Sequence, residues 1–206
     1  LGRLGPGGLK ATILNLVEFR HLIHSTHPDR PIVFLGHSWG SLMGQILLNQ
    51  GFSELVDAVV LTGSTYRVPG YMNAGNLNAR HKHLGDTGAE WLSRDPAVWD
   101  AWVDDPFTFE ANTLKLFGPL DAARLIGTPA KQKLDIPILL MVGSDDSLGG
   151  ERGARRLERA LKERAGAEAI ELKVYPDARH EVFNEVNRDE VVSDLISWLD
   201  TVTPSQ

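Results

Sequence analysis

The segment Pro31-Ile32-Val33-Phe34-Leu35-Gly36-His37-Ser38-Trp39-Gly40-Ser41-Leu42-Met43-Gly44-Gln45-Ile46-Leu47-Leu48 restricts the possible fold more than any other part of the chain. Four apolar residues, three of them β-branched or aromatic, lead into Gly-His-Ser-Trp-Gly, and Leu42, Ile46 and Leu47 follow at helical spacing. The order is strand, sharp turn, helix. Gly-x-Ser-x-Gly at such a junction has a steric logic. A strained strand-to-helix turn brings backbone close to backbone, so side chains at Gly36 and Gly40 are expected to collide with it. Ser38 then stands at the carboxyl end of the strand as a candidate nucleophile.

Three further apolar runs read as strands: Asp57 to Gly63, Ile136 to Val142, and Ile170 to Tyr175. Between them lie helical patterns. Residues Leu1 to Gly8 hold four Gly and one Pro, which is loop chemistry. From Leu9 to His24 the apolar Ile13, Leu16, Val17, Phe19, Leu22 and Ile23 recur at helical spacing, and the helix ends before Pro28. Glu151 to Arg164 carries six cations, yet Glu151, Glu158 and Glu163 offset them and Ala154, Leu157 and Leu161 line one face, so it is a surface helix. The last helix, Asp189 to Thr201 with Pro204 after it, is expected to bury Val191, Val192, Leu195, Ile196 and Leu199. Continuous rather than alternating apolar runs, separated by helices, are what a mainly parallel sheet with helices on both faces requires. The class is α/β.

From Ser64 to Lys133 this rhythm breaks. Trp91, Trp99 and Trp102, three of the five Trp, stand here with Tyr66, Tyr71, Phe107, Phe109 and Phe117 among Pro, Gly and Asn. The expected organisation is one core made of residues 1–64 and 134–206, interrupted by an insertion at 65–133. An aromatic lining of this kind suits an acyl chain or another apolar group.

Composition removes several classes of function. A net charge of -6 argues against nucleic acid as the partner, because phosphate binding needs a basic surface. With no Cys there is no disulfide, thiolate metal site or cysteine nucleophile, which fits the cytoplasm. No run approaches the ~18 apolar residues of a membrane span, and no basic n-region with an apolar h-region marks a signal peptide. The first residue is Leu rather than Met, so the numbering is read as starting after something was removed. His21, His24 and His27 have a spacing that can share a helix face, but His27 falls at the helix end, and solvated histidines are expected there and at His81 and His83.

A serine hydroxyl needs a base within hydrogen-bond reach, and the base needs an orienting carboxylate. After the third strand comes Met141-Val142-Gly143-Ser144-Asp145-Asp146-Ser147, and after the fourth Tyr175-Pro176-Asp177-Ala178-Arg179-His180-Glu181-Val182-Phe183-Asn184-Glu185. Both acids and His180 therefore fall at carboxyl ends of strands, on the sheet edge that carries Ser38 and where open α/β sheets bind ligands. Of seven histidines only His180 lies between the last strand and the last helix.

These segments resemble the α/β-hydrolase family, and within it the monoacylglycerol-lipase and lysophospholipase-like branch. The resemblance rests on Pro-Ile-Val-Phe-Leu-Gly-His-Ser-Trp-Gly-Ser and on the loop Pro-Asp-Ala-Arg-His-Glu-Val-Phe-Asn-Glu, and it runs from about Ile13 to Leu199. It implies a triad of Ser38, Asp146 and His180, with Asp145 as the alternative acid, and an oxyanion donor in the backbone N–H of Trp39. It also implies that 65–133 is a helical cap over the site. Where that branch more often has Met, this chain has Trp39, which narrows the pocket beside the nucleophile. The expected reaction is hydrolysis of a carboxylic ester, monoacylglycerol, lysophospholipid or a small ester, through an acyl-enzyme, without metal or organic cofactor. Lactonase, amidase or acyltransferase chemistry keeps the same triad. The family's upstream His-Gly segment, source of a second oxyanion donor, has no counterpart before Ser38, nor do its early strands. Two expectations follow: the chain is a fragment of a longer polypeptide, or a second copy covers the open edge of the nucleophile strand. The rival class is a non-catalytic interaction module.

Overall fold

The computed structural model describes residues 3–109 and 112–203. In chain order the elements are α1 (Gly8–Thr26), β1 (Val33–His37), α2 (Trp39–Leu48), β2 (Ala58–Thr62), α3 (Pro96–Asp104), α4 (Thr113–Arg124), β3 (Ile138–Gly143), α5 (Gly150–Ala165), β4 (Ile170–Tyr175) and α6 (Arg188–Val202). The four strands form one parallel sheet in the order β1-β2-β3-β4. Gly36 lies opposite Leu61, Leu61 opposite Leu140, and Leu140 opposite Leu172. Because every strand runs the same way, all four carboxyl ends share one edge of the sheet.

Each continuous apolar run feeds two cores. Val59, Leu61, Ile138 and Leu140 pack with Leu9 and Ile13 of α1, Met43, Leu47 and Leu48 of α2, and Leu157 and Leu161 of α5. Their neighbours Ala58, Val60, Leu139 and Met141 face the other way, onto Val191 and Trp198 of α6. Full burial of each Leu or Ile side chain is worth about 1.5–3 kcal/mol, so the two-sided sheet is the main source of stability. On α5 the cations stay in solvent, with Arg155 paired to Glu151 and Lys162 to Glu158 one turn apart, both at 2.7 Å. Such exposed pairs contribute only tenths of a kcal/mol.

Three expectations about burial change, one of them at His81, which is 3% exposed rather than solvated. On α6, Val192 and Ile196 are 41% and 53% exposed, whereas Trp198 is buried. The cause is helical phase: 191, 195, 198 and 202 form the stripe on the sheet, and Val192 and Ile196 fall beside it. The expected N-terminal loop also ends earlier, since Gly8 already opens α1. Leu1, Gly2 and Pro204 lie outside the described residues.

Among the described residues β1 has only β2 as a strand neighbour, and Leu35 on it is 45% exposed. The long connection from β2 to β3 holds α3 and α4 rather than a single crossover helix. Pro96 starts α3 behind Asp95, whose side chain caps Ala97 N. Gly118 (φ 72°, ψ 166°) and Pro119 break α4 into two pieces. Ala89, Leu92 and Trp99 make a small separate core here. No helix among the described residues is long and apolar enough to cross a membrane.

Candidate active site

Ser38 sits between β1 and α2 with φ 53° and ψ −119°, one of two non-glycine residues with positive φ among the described ones. This backbone is strained for an L-residue and is held by its surroundings. Its N–H donates to Thr62 O (3.0 Å) at the end of β2, and its carbonyl accepts from the N–H groups of Ser41 (2.9 Å) and Leu42 (3.1 Å). The tight approach is real at Gly36, where a Cβ would lie 2.6 Å from Gly40 O. At Gly40 the expectation fails: a Cβ there meets nothing within 4 Å. The turn needs the Gly40 backbone near Gly36, and a side chain on Gly40 itself points into open space.

The His-to-acid contact is direct. His180 Nδ1 lies 3.0 Å from both Oδ1 and Oδ2 of Asp146. A carboxylate only accepts, so Nδ1 carries the proton of this hydrogen bond. His180 Nε2 is buried and has no hydrogen-bond partner. Asp146 is itself steadied by Leu148 N–H, 2.8 Å from Oδ1. Asp145, its neighbour, turns away to pair with Arg80, with His81 Nε2 at 3.8 Å. His180 and Asp146 are thus brought together, while the Ser38 hydroxyl makes no hydrogen bond to His180.

Two aromatic rings flank the imidazole. His37 lies 4.8 Å from it between ring centroids and Trp91 lies 4.6 Å away. Gly63 (φ 51°) packs against both histidines, and a Cβ on it would stand 2.9 Å from each Cε1. His37 also hydrogen-bonds through Nδ1 to Thr62 Oγ1 (2.9 Å). Burial, with help from the neighbouring His180 and against the pull of Asp146, pushes the His37 imidazole down to about 3. It is a neutral ring at any ordinary pH.

Trp39, first residue of α2, has a backbone N–H with no partner within its own helix, as for every helix start. Its ring packs edge-on against Phe117 of α4 at 5.2 Å, so the 65–133 segment reaches the turn that carries Ser38. A cavity of about 380 Å³ is lined by Tyr71, Asn73, Asn76, Arg80, Asp146 and Ser147 among others. Neither Ser38 nor His180 lines it. Among the described residues no group of three or more His, Asp or Glu is arranged to hold a metal.

The sequence profile of the Hydrolase_4 family, described as serine aminopeptidase, S33, matches residues 5–187. The chain belongs to this family. It is 31% identical to a monoacylglycerol lipase of Mycolicibacterium smegmatis, over 94% of this chain and 73% of that protein. It is 29% identical to the monoglyceride lipase of Mus musculus, over 90% of this chain and 66% of the relative, so it spans about two thirds of that protein's length. The structure is similar to a carboxyl esterase from Bacillus coagulans, with TM-score 0.74 at 21% identity, over 98% of this chain and 74% of the esterase. These likenesses place the chain in the monoacylglycerol-lipase-like branch of the α/β-hydrolases.

Around its histidine loop this Hydrolase_4 chain holds charges that sequence reading passed over. Glu185, 1% exposed, accepts from the N–H groups of Arg179 (2.7 Å), Arg94 (3.1 Å) and Val186 (3.1 Å), and from Arg94 Nε (2.8 Å). Arg179 donates through Nη1 to Glu90 O (2.5 Å) and Ser93 O (2.7 Å). The only available signal was the pair of charges flanking His180 in Arg-His-Glu-Val-Phe-Asn-Glu, which alternation along a loop does not distinguish from solvated polarity.

Proposed function

We propose that the chain is a serine hydrolase that cleaves carboxylic esters through an acyl-enzyme, with Ser38 as nucleophile, His180 as general base and acid, and Asp146 orienting His180. The observation that carries this reading is the buried His180 ring, bound by Asp146 at Nδ1 and left open at Nε2, on the sheet edge where the strained Ser38 turn stands.

Ser38 Oγ attacks the ester carbonyl carbon while its proton passes to His180 Nε2. The carbonyl π-electrons move to oxygen, and the Trp39 N–H stabilises that oxyanion. A well-placed donor of this kind is worth about 2.7–4 kcal/mol of barrier. His180 then gives the proton to the departing alkoxide, leaving the acyl group on Ser38, and water repeats the sequence to release the acid. Catalytic hydrogen bonds often tighten only in the substrate complex, so the Ser38–His180 pairing is expected to close when an ester binds.

Residues 65–133 act as a cap over the core formed by 1–64 and 134–206, and the Trp39–Phe117 contact ties the two. The substrate class we assign is a monoacylglycerol, a lysophospholipid or a small ester, in keeping with the names of the relatives and the aromatic content of the cap.

The test is covalent labelling by a fluorophosphonate, with Ser38→Ala as control, beside hydrolysis of a series of p-nitrophenyl esters. Labelling and turnover that both vanish in Ser38→Ala are expected. A folded chain that neither labels nor turns over would refute the enzyme reading and favour a non-catalytic interaction module.

A further inference from the structure

We propose that Trp91 is a positioning residue for His180, and that residues 90–93 form a strap whose purpose is to press the Trp91 ring onto the imidazole. The inference rests on His180 serving as the base.

Four consecutive carbonyls of the strap are all bonded. Glu90 O and Ser93 O accept from Arg179 Nη1, at 2.5 and 2.7 Å. Trp91 O accepts from the His180 N–H (3.4 Å), and Leu92 O from the Glu181 N–H (2.8 Å). The strap is therefore tied to residues 179, 180 and 181, the histidine and both its neighbours. From the other side, Asn78 Oδ1 accepts the Trp91 N–H (3.0 Å) and Asn78 Nδ2 donates to Glu90 Oε2 (2.6 Å). Ser93 O also accepts from Trp99 Nε1 (2.7 Å), which anchors the strap to α3.

Trp91 is the ring that this anchoring presents. Its centroid is 4.6 Å from that of His180, with 37° between the planes. His180 needs such a neighbour. Its one side-chain hydrogen bond joins Nδ1 to two carboxylate oxygens at equal distance and Nε2 has no bond of its own, so rocking of the ring about the line from Cβ to Nδ1 is restrained by the Trp91 and His37 rings. Only packing sets where Nε2 points. The indole does a second thing once the proton arrives. An imidazolium within about 6 Å of a Trp ring is attracted by its quadrupole, and this attraction exists only in the charged form that accompanies the transition state. Neither role is visible in the sequence, where Trp91 and His180 stand 89 positions apart.

The experiment uses the whole chain with Trp91→Phe, Trp91→Leu and Asn78→Ala. The readouts are kcat and KM on a p-nitrophenyl ester, and the low-field proton NMR resonance of the His180–Asp146 hydrogen bond, assigned by its loss in Asp146→Asn. A merely structural residue would lower the amount of folded protein and leave the folded fraction unchanged in both. For Trp91→Leu we expect kcat to fall at least ~10-fold with KM within ~3-fold, and the resonance to broaden, since a loosened catalytic group loses rate rather than binding. Trp91→Phe should restore most of both. Asn78→Ala, which frees the strap without touching the ring, should show a smaller loss of kcat and the same broadening. If Trp91→Leu does not fold, Asn78→Ala decides the matter. Unchanged kcat and an unchanged resonance in either folded variant, or a Phe variant no better than Leu, overturns the proposal. The resonance is read without substrate, so it judges Trp91 even if the wild-type chain fails to hydrolyse any ester.

Discussion

Replacing Gly143 by Ala should separate the acid from the histidine while leaving both residues in the chain. Gly143 ends β3 and leads into the loop that carries Asp146, and it lies against the loop that carries His180. A Cβ there would stand 2.1 Å from Ala178 O, 2.2 Å from Arg179 O and 2.4 Å from Ala178 C. All three are backbone atoms, so no rotamer change relieves the clash. Real Cβ atoms do not approach closer than about 3.0 Å, and the histidine loop must therefore retreat by about 0.9 Å. That is enough to spoil a His180–Asp146 contact of 3.0 Å. A misplacement of this size costs on the order of 100-fold in rate, and the overpacking costs about 1–3 kcal/mol of stability. The assay is kcat/KM on a p-nitrophenyl ester, beside urea unfolding and near-UV circular dichroism to establish that the variant is folded. A folded Gly143→Ala protein that keeps kcat/KM within ~3-fold of wild type would refute the claim that this close approach sets the alignment.

The two glycines of the nucleophile turn should behave differently. Gly36→Ala meets the Gly40 backbone and is expected to lose about 1–3 kcal/mol in urea unfolding, whereas Gly40→Ala, in open space on α2, should lie within about 1 kcal/mol of wild type on the stabilising side. Equal losses at both positions would contradict the geometry. His37 should make the fold acid-sensitive. The unfolded chain takes up its proton near 6.5 while the half-buried ring resists until about 3, so protons favour the unfolded state across that window and stability falls as pH drops. Between pH 7 and pH 5 the loss from this one group is about 2 kcal/mol. It should be missing from the same comparison made on His37→Asn, and a variant with the wild-type pH dependence would show that the ring is not kept neutral by burial.

The sequence segments that read clearly are those whose meaning is local. A short, β-branched apolar run between polar residues is too short for a buried helix and fits a strand covered on both faces, so β2 and β3 were legible, and with the helical patterns between the runs the parallel order. The turn around Ser38 announced itself because the strain of a strand-to-helix corner is written into adjacent residues. Where several elements had to agree, reading ran out. Val192 and Ile196 carry the same apolar chemistry as Val191, and only the phase of α6 against the sheet leaves them in solvent. Asp145 and Asp146 are chemically identical neighbours; the family resemblance favoured Asp146, and the pairing of Asp145 with Arg80, from another part of the chain, could not be read from either residue.

By itself, then, the order of residues determined an α/β class, and it put Ser38 and His180 at the carboxyl edge of the sheet as the candidates our proposal uses. Each of these follows from spacing within one short stretch. The tertiary structure alone decided that Asp145 turns away to Arg80, that His37 and Trp91 flank the His180 ring, and that Glu185 and Arg179 fasten the histidine loop to residues 90–94. The physical reason is that these contacts join residues far apart in the chain through buried polar groups. A buried carboxylate or guanidinium is tolerated only where its partners converge on it, and that convergence is a property of the folded packing rather than of any local pattern.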